Sequence, residues 1–142
     1  MPGGQVMIWI LPYVLSAASL VNIVTIWLAR RAILRGDWMT HRHFMVASLA
    51  IWGGTLLLFG VHLWVRGLRV IVAVPEFLFG LYVVSVATCA VLLVVTLLRI
   101  VRHQYLPHKI LARKTIIVWL WMCLFSILFY PLTDARIYPI SG

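Results

Sequence analysis

Five histidines, His41, His43, His62, His103 and His108, are the side chains in this sequence best suited to chemistry. A neutral imidazole ligates haem iron or copper, and a two-histidine site needs rings brought together from different helices. His41-Arg42 and His108-Lys109 each stand ahead of a long apolar run, which makes them the first pair for such a site. His43 and His103 come second. In a basic segment at a membrane surface the same rings also serve simply to bond headgroups, water or backbone. His62, in Phe59-Gly60-Val61-His62-Leu63-Trp64, is a separate candidate ligand, because an ionisable group within an apolar run is a functional hypothesis by default. The stretch expected opposite it, residues 77–84, offers no histidine at matching depth, but Tyr82 could bond to it.

The elements that carry these residues follow from composition. The chain has 142 residues, of which 64% are hydrophobic and 11% charged, and its mean hydropathy is +1.07. A water-soluble domain of this length has no interior large enough to hide that surface, so the expected solvent is lipid. Four runs, about 6–29, 44–65, 77–98 and 115–132, contain no Lys, Arg, Asp or Glu. Each is long enough for a helix to cross roughly 30 Å of hydrocarbon. Period-two alternation is missing, which argues against a barrel. The first run is too long for a signal-peptide core and is expected to remain as a span. Pro12 falls inside that run; Pro75 and Pro107 precede the third and fourth, and Pro131 marks the end of the last.

Charge sets the orientation. Arg30, Arg31, Arg35 and Arg42 separate the first two runs, and Arg99, Arg102, Lys109, Arg113 and Lys114 separate the last two. Nine of the twelve cations thus fall on one side, which the positive-inside rule makes cytoplasmic. The expected architecture is all-α: one integral membrane domain over residues 1–142, a four-span bundle of two antiparallel hairpins with both termini on the outer side. The basic loops 30–42 and 99–114 then face the cytoplasm across the inner (cell) membrane. A net charge of +9 suggests nucleic acid in a soluble protein; here the cations sit in short connections between spans, and no nucleic-acid partner is expected.

A weak repeat runs through the chain. His41 precedes Trp52 by eleven residues and His108 precedes Trp119 by eleven, close to three helical turns, so each Trp shares a face with its histidine. Small residues in the second run (Ala47, Ser48, Ala50, Gly53, Gly54, Thr55) and in the third (Ser85, Ala87, Thr88, Ala90) are expected where helices approach closely. Asn22 is expected to face the bundle interior. Cys89 and Cys123 lie within apolar runs without metal-type spacing; they read as small apolar side chains, with copper or thiol redox as the sharper alternative. Phosphate loops, hydrolase triads and paired carboxylates are missing, so no enzyme activity is expected.

The pattern His41-Arg42 with Met45, together with His108-Lys109 ahead of the Trp119-bearing run, resembles the CtaM/YozB-like family of small four-helix membrane proteins. His62 shortly before Gly67 matches a second, looser pattern of that family, and the resemblance covers about residues 20–132. Members are implicated in maturation of haem–copper cytochrome oxidases. The resemblance therefore implies a non-enzymatic assembly or accessory protein of such an oxidase. It would dock in the bilayer beside a respiratory partner and contact haem, copper or another metal through His41, His108 or His62. One departure counts against a full ligand set: Val83 stands where the family expects a histidine early in the third span. That shifts weight toward a cofactor-free structural subunit of a larger respiratory or photosynthetic complex, and away from a b-haem electron carrier.

Overall fold

In lipid every backbone N–H and C=O must be satisfied within the protein, and a helix does this segment by segment. The computed structural model describes the backbone of residues 2–66 and 75–132, and the side chains of 10–64, 75–106 and 108–132. They form four α-helices: α1 (Pro2–Leu34), α2 (Trp38–Arg66), α3 (Glu76–Val101) and α4 (Tyr105–Leu132). Among the described residues all four are long and apolar enough to cross a membrane. The molecule is an all-α four-helix bundle. The expected middle connection, with Arg69, and the carboxyl tail, with Arg136, lie outside the described residues.

The helices overrun the expected boundaries. Segments 30–42 and 99–114, read from their charge as loops, are mostly helical, and the true turns are only residues 35–37 and 102–104. The physical reason is that Arg and Lys are good helix formers whose long stems lie along apolar surface while the charge reaches the headgroups. Charge marks where the hydrocarbon ends, not where the helix does.

The two turns are built alike. Gly36 (φ 78°) and His103 (φ 55°) are in the left-handed region, and they lie 67 residues apart. Around each, the N–H of the left-handed residue bonds the carbonyl three back, Gly36 to Ile33 and His103 to Ile100. The next N–H bonds five back, Asp37 to Ala32 and Gln104 to Arg99. These are paired Schellman closures, one using the expected glycine and the other a histidine that adopts the conformation at a cost. We expect His103→Gly to stabilise the bundle by about 1 kcal/mol, measured by denaturation in detergent. Asp37 then caps α2: it accepts the Thr40 N–H at 3.0 Å. Hydrogen bonds from the Thr40 side chain and then its N–H hold the Asp37 carboxyl below its ordinary pKa. Because the folded value is depressed, this contribution is present above the usual carboxylate range and is lost as pH falls through the folded value. Asp37→Asn should keep most of the cap while flattening the acid limb of a midpoint-versus-pH curve.

α1 packs on α2 and α4, and α4 also packs on α3. Ser16 Oγ donates to the Ile127 carbonyl (3.1 Å) and Asn22 Nδ2 to Cys123 Sγ (3.5 Å), so α1 and α4 run antiparallel. Trp52 meets Met122, and Phe59 meets Tyr130, so α2 and α4 run parallel. Both turns therefore share one end of the bundle, the turn end. Asn22, almost fully buried, also accepts from Ser48 Oγ and so ties α1 to both α2 and α4, as its polarity within the first run led one to expect.

The small residues of α2 behave otherwise. Ser48 and Thr55 are buried, but Ala47, Ala50, Gly53 and Gly54 face outward, and a Cβ added at either glycine meets nothing within 4 Å. The close helix approach expected at those two glycines is absent among the described residues. Replacing both by Ala should be tolerated and should stabilise α2 by about 1 kcal/mol in total, through helix propensity alone.

Candidate functional site

His41 and His108 begin equivalent helices, and the structure puts them to the same use. His41 Nδ1 lies 2.8 Å from the Ala29 carbonyl and His108 Nδ1 lies 3.1 Å from the Thr96 carbonyl, each twelve residues earlier on the preceding helix. A carbonyl only accepts, so Nδ1 carries the proton in both rings and donates. Each imidazole thereby pins the start of one helix to the last turns of its hairpin mate. In the neutral ring this leaves the Nε2 lone pair as the acceptor or ligating atom, the arrangement that metal-binding histidines also use. Both rings are half-buried at the turn end. Among the described residues no three His, Cys, Asp or Glu side chains converge as a metal site would require.

The remaining histidines separate from this pair. His43 is exposed, and His103 is the left-handed residue of the second turn, its Nδ1 3.2 Å from Tyr105 Oη. His62 lies 21 residues beyond His41 on the same helix, about 30 Å along its axis. It cannot share a ligand with the turn-end rings. It is buried at 3% exposure and stacks on Phe59 with ring centroids 6.5 Å apart. Tyr82, expected to bond it, pairs instead with Tyr130 through hydroxyls 2.8 Å apart.

Around Phe59 lies an aromatic cluster that no spacing in the sequence signals. Phe59, Tyr82, Phe125, Phe129 and Tyr130 form a continuous set of ring contacts, with Tyr82 stacked on Phe129 at 4.4 Å and 3°. Beside it, between α2 and α3, runs an apolar groove of about 280 Å³ lined by Phe59, Leu63, Phe79, Tyr82, Val83, Val86 and Ala87. Val83, the position where the resemblance implies a histidine, is half exposed on that groove. No family model, curated protein or solved structure matches the chain.

The 67-residue offset organises the interior as well. Trp52 and Trp119, equivalent by that offset, meet edge to face at 6.1 Å, and Trp52 Nε1 donates to Met122 Sδ at 3.0 Å. Ser48 and Thr115 are another such pair: the first bonds Asn22, and the second lies 2.9 Å from the Thr96 hydroxyl. Comparing residues at that spacing along the sequence would have exposed these pairs, whereas the His-to-Trp spacing alone caught only two. Cys89 and Cys123 are both buried free thiols, and Cys123 Sγ accepts the bond from Asn22.

Proposed function

We propose that this chain is a non-enzymatic accessory or assembly protein of a respiratory haem–copper oxidase, acting by docking in the membrane. The observation that carries the reading is the matched pair of turn-end histidines. Each is held by its Nδ1 to its own hairpin at the same end, which leaves Nε2 as the atom to meet a haem, a metal or a partner side chain. The basic turns 35–37 and 102–104 lie on the cytoplasmic side of the inner membrane under the positive-inside rule. The identity of the partner rests on the resemblance of His41-Arg42, Met45 and His108-Lys109 to the CtaM/YozB-like pattern.

A tagged chain isolated in mild detergent should bring oxidase subunits with it. Deletion of its gene should lower the haem content or the yield of that oxidase. An oxidase that keeps normal haem but falls apart more readily favours the second reading, a cofactor-free structural subunit. Val83 supports that alternative, since it lines an apolar groove where a ligand is expected. Recovery of the chain alone, with the oxidase unaffected by deletion, rejects both.

A further inference from the structure

We propose that the outward face of α4 at the turn end binds the phosphate of an anionic phospholipid, with an acyl chain of that lipid laid along the same face. Lys109, Arg113 and Lys114 are exposed there, and Lys109 and Arg113 are a like-charge pair at i, i+4 that repel unless an anion sits between them. Arg99, on the adjoining helix α3, is half-buried with its Nε enclosed and without an acceptor among the described residues. Among the described residues no carboxylate answers this charge. Asp37 caps α2 and Glu76 starts α3 at the far end, while Asp134 lies outside the described residues. Beyond the cations the same helix face continues as Ile117, Trp121, Leu124 and Leu128, all more than half exposed and spaced three or four apart. A headgroup anchor leading into an apolar stripe is the shape of a lipid site.

The equivalent helix supplies an internal control. At the 67-residue offset, Lys109 corresponds to Arg42, but Arg113 and Lys114 correspond to Val46 and Ala47, and Arg99 to Ala32. The second hairpin therefore carries cations where the first carries apolar residues. Arg113 and Lys114 sit five and six residues past His108, about 8 Å further along the helix. At that depth a cation either reaches back to the interface or draws a phosphate toward it.

The test uses the full chain in detergent and brominated-lipid quenching of tryptophan fluorescence, to which Trp121 reports. Brominated phosphatidylglycerol should quench at far lower concentration than brominated phosphatidylcholine. Arg113→Gln with Lys114→Gln should weaken the phosphatidylglycerol response roughly thirtyfold, about fivefold per cation. Arg113→Lys with Lys114→Arg should retain it, and Arg35→Gln with Arg42→Gln, in the other hairpin, should leave it unchanged. Equal quenching by the two lipids, or equal loss in the two glutamine variants, overturns the proposal. So does competition by inorganic phosphate at the lipid's own concentration, which would make the ligand free phosphate. Should the Arg113/Lys114 glutamine variant not fold, a salt titration of the unaltered chain decides: phosphatidylglycerol binding that does not weaken with added KCl refutes a headgroup site.

Discussion

Trp119→Ala should lower the stability of the bundle by about 3 kcal/mol, the largest loss expected from any single side chain here. Trp119 is completely buried and lies against Trp52 where the two hairpins meet. In lipid there is no hydrophobic gain in hiding an apolar ring from acyl chains, so the cost of its removal is lost packing and the void left behind. Trp119→Phe separates packing from polarity. The indole Nε1 is enclosed without a hydrogen-bond acceptor among the described residues. Phenylalanine removes that orphaned donor along with part of the ring and should cost well under half as much as alanine. Trp52→Ala should fall between, because Trp52 is only partly buried but donates to Met122 Sδ. Steric-trap or denaturant unfolding in micelles measures all three. A Trp119→Ala bundle within about 0.5 kcal/mol of the unaltered protein would mean the hairpins do not pack as described.

His41→Ala combined with His108→Ala should cut association with the proposed partner complex roughly thirtyfold, if each Nε2 contributes one hydrogen bond of about 1 kcal/mol to it. The same changes remove the Nδ1 bonds to Ala29 and Thr96, so each should also cost the fold about 1 kcal/mol. The two stability losses should add, since the residues sit in different hairpins without shared contacts. Asparagine at both positions separates the roles: its side-chain amide is a donor that can restore the carbonyl bond but supplies no imidazole Nε2. Recovery of stability without recovery of association identifies Nε2 as the contact. If the ligand is haem, a reduced-minus-oxidised spectrum of purified protein should show its band, and alanine at both positions should abolish it.

The fold was largely legible in the sequence because lipid imposes one rule on every span. Apolar length located the four helices, and the histidine-to-tryptophan spacing pointed to two like hairpins. Helix ends were misplaced because Arg30, Arg31, Arg42, Lys109 and Arg113 signal the water interface rather than a turn. Gly53 and Gly54 lie away from any described helix contact because small residues pack only where a partner helix arrives, and a one-dimensional pattern does not say which face that is. The aromatic cluster of Phe59, Tyr82, Phe129 and Tyr130 was hidden for a related reason. In an alphabet this apolar, rings drawn from three helices carry no local signature. At the candidate site, residue type nominated His41 and His108, but only the shared bond to a carbonyl twelve residues back assigns the proton to Nδ1.

Everything proposed for the turn-end imidazoles requires both turns to face one compartment. Single cysteines placed at Arg35 and at Arg102, in a chain whose buried Cys89 and Cys123 have been replaced by Ala, test this in intact cells with a membrane-impermeant maleimide. Both positions should resist labelling until the membrane is permeabilised and then react alike. Labelling of one from outside while the other stays protected would place the two histidines on opposite faces of the bilayer and contradict the paired-hairpin arrangement.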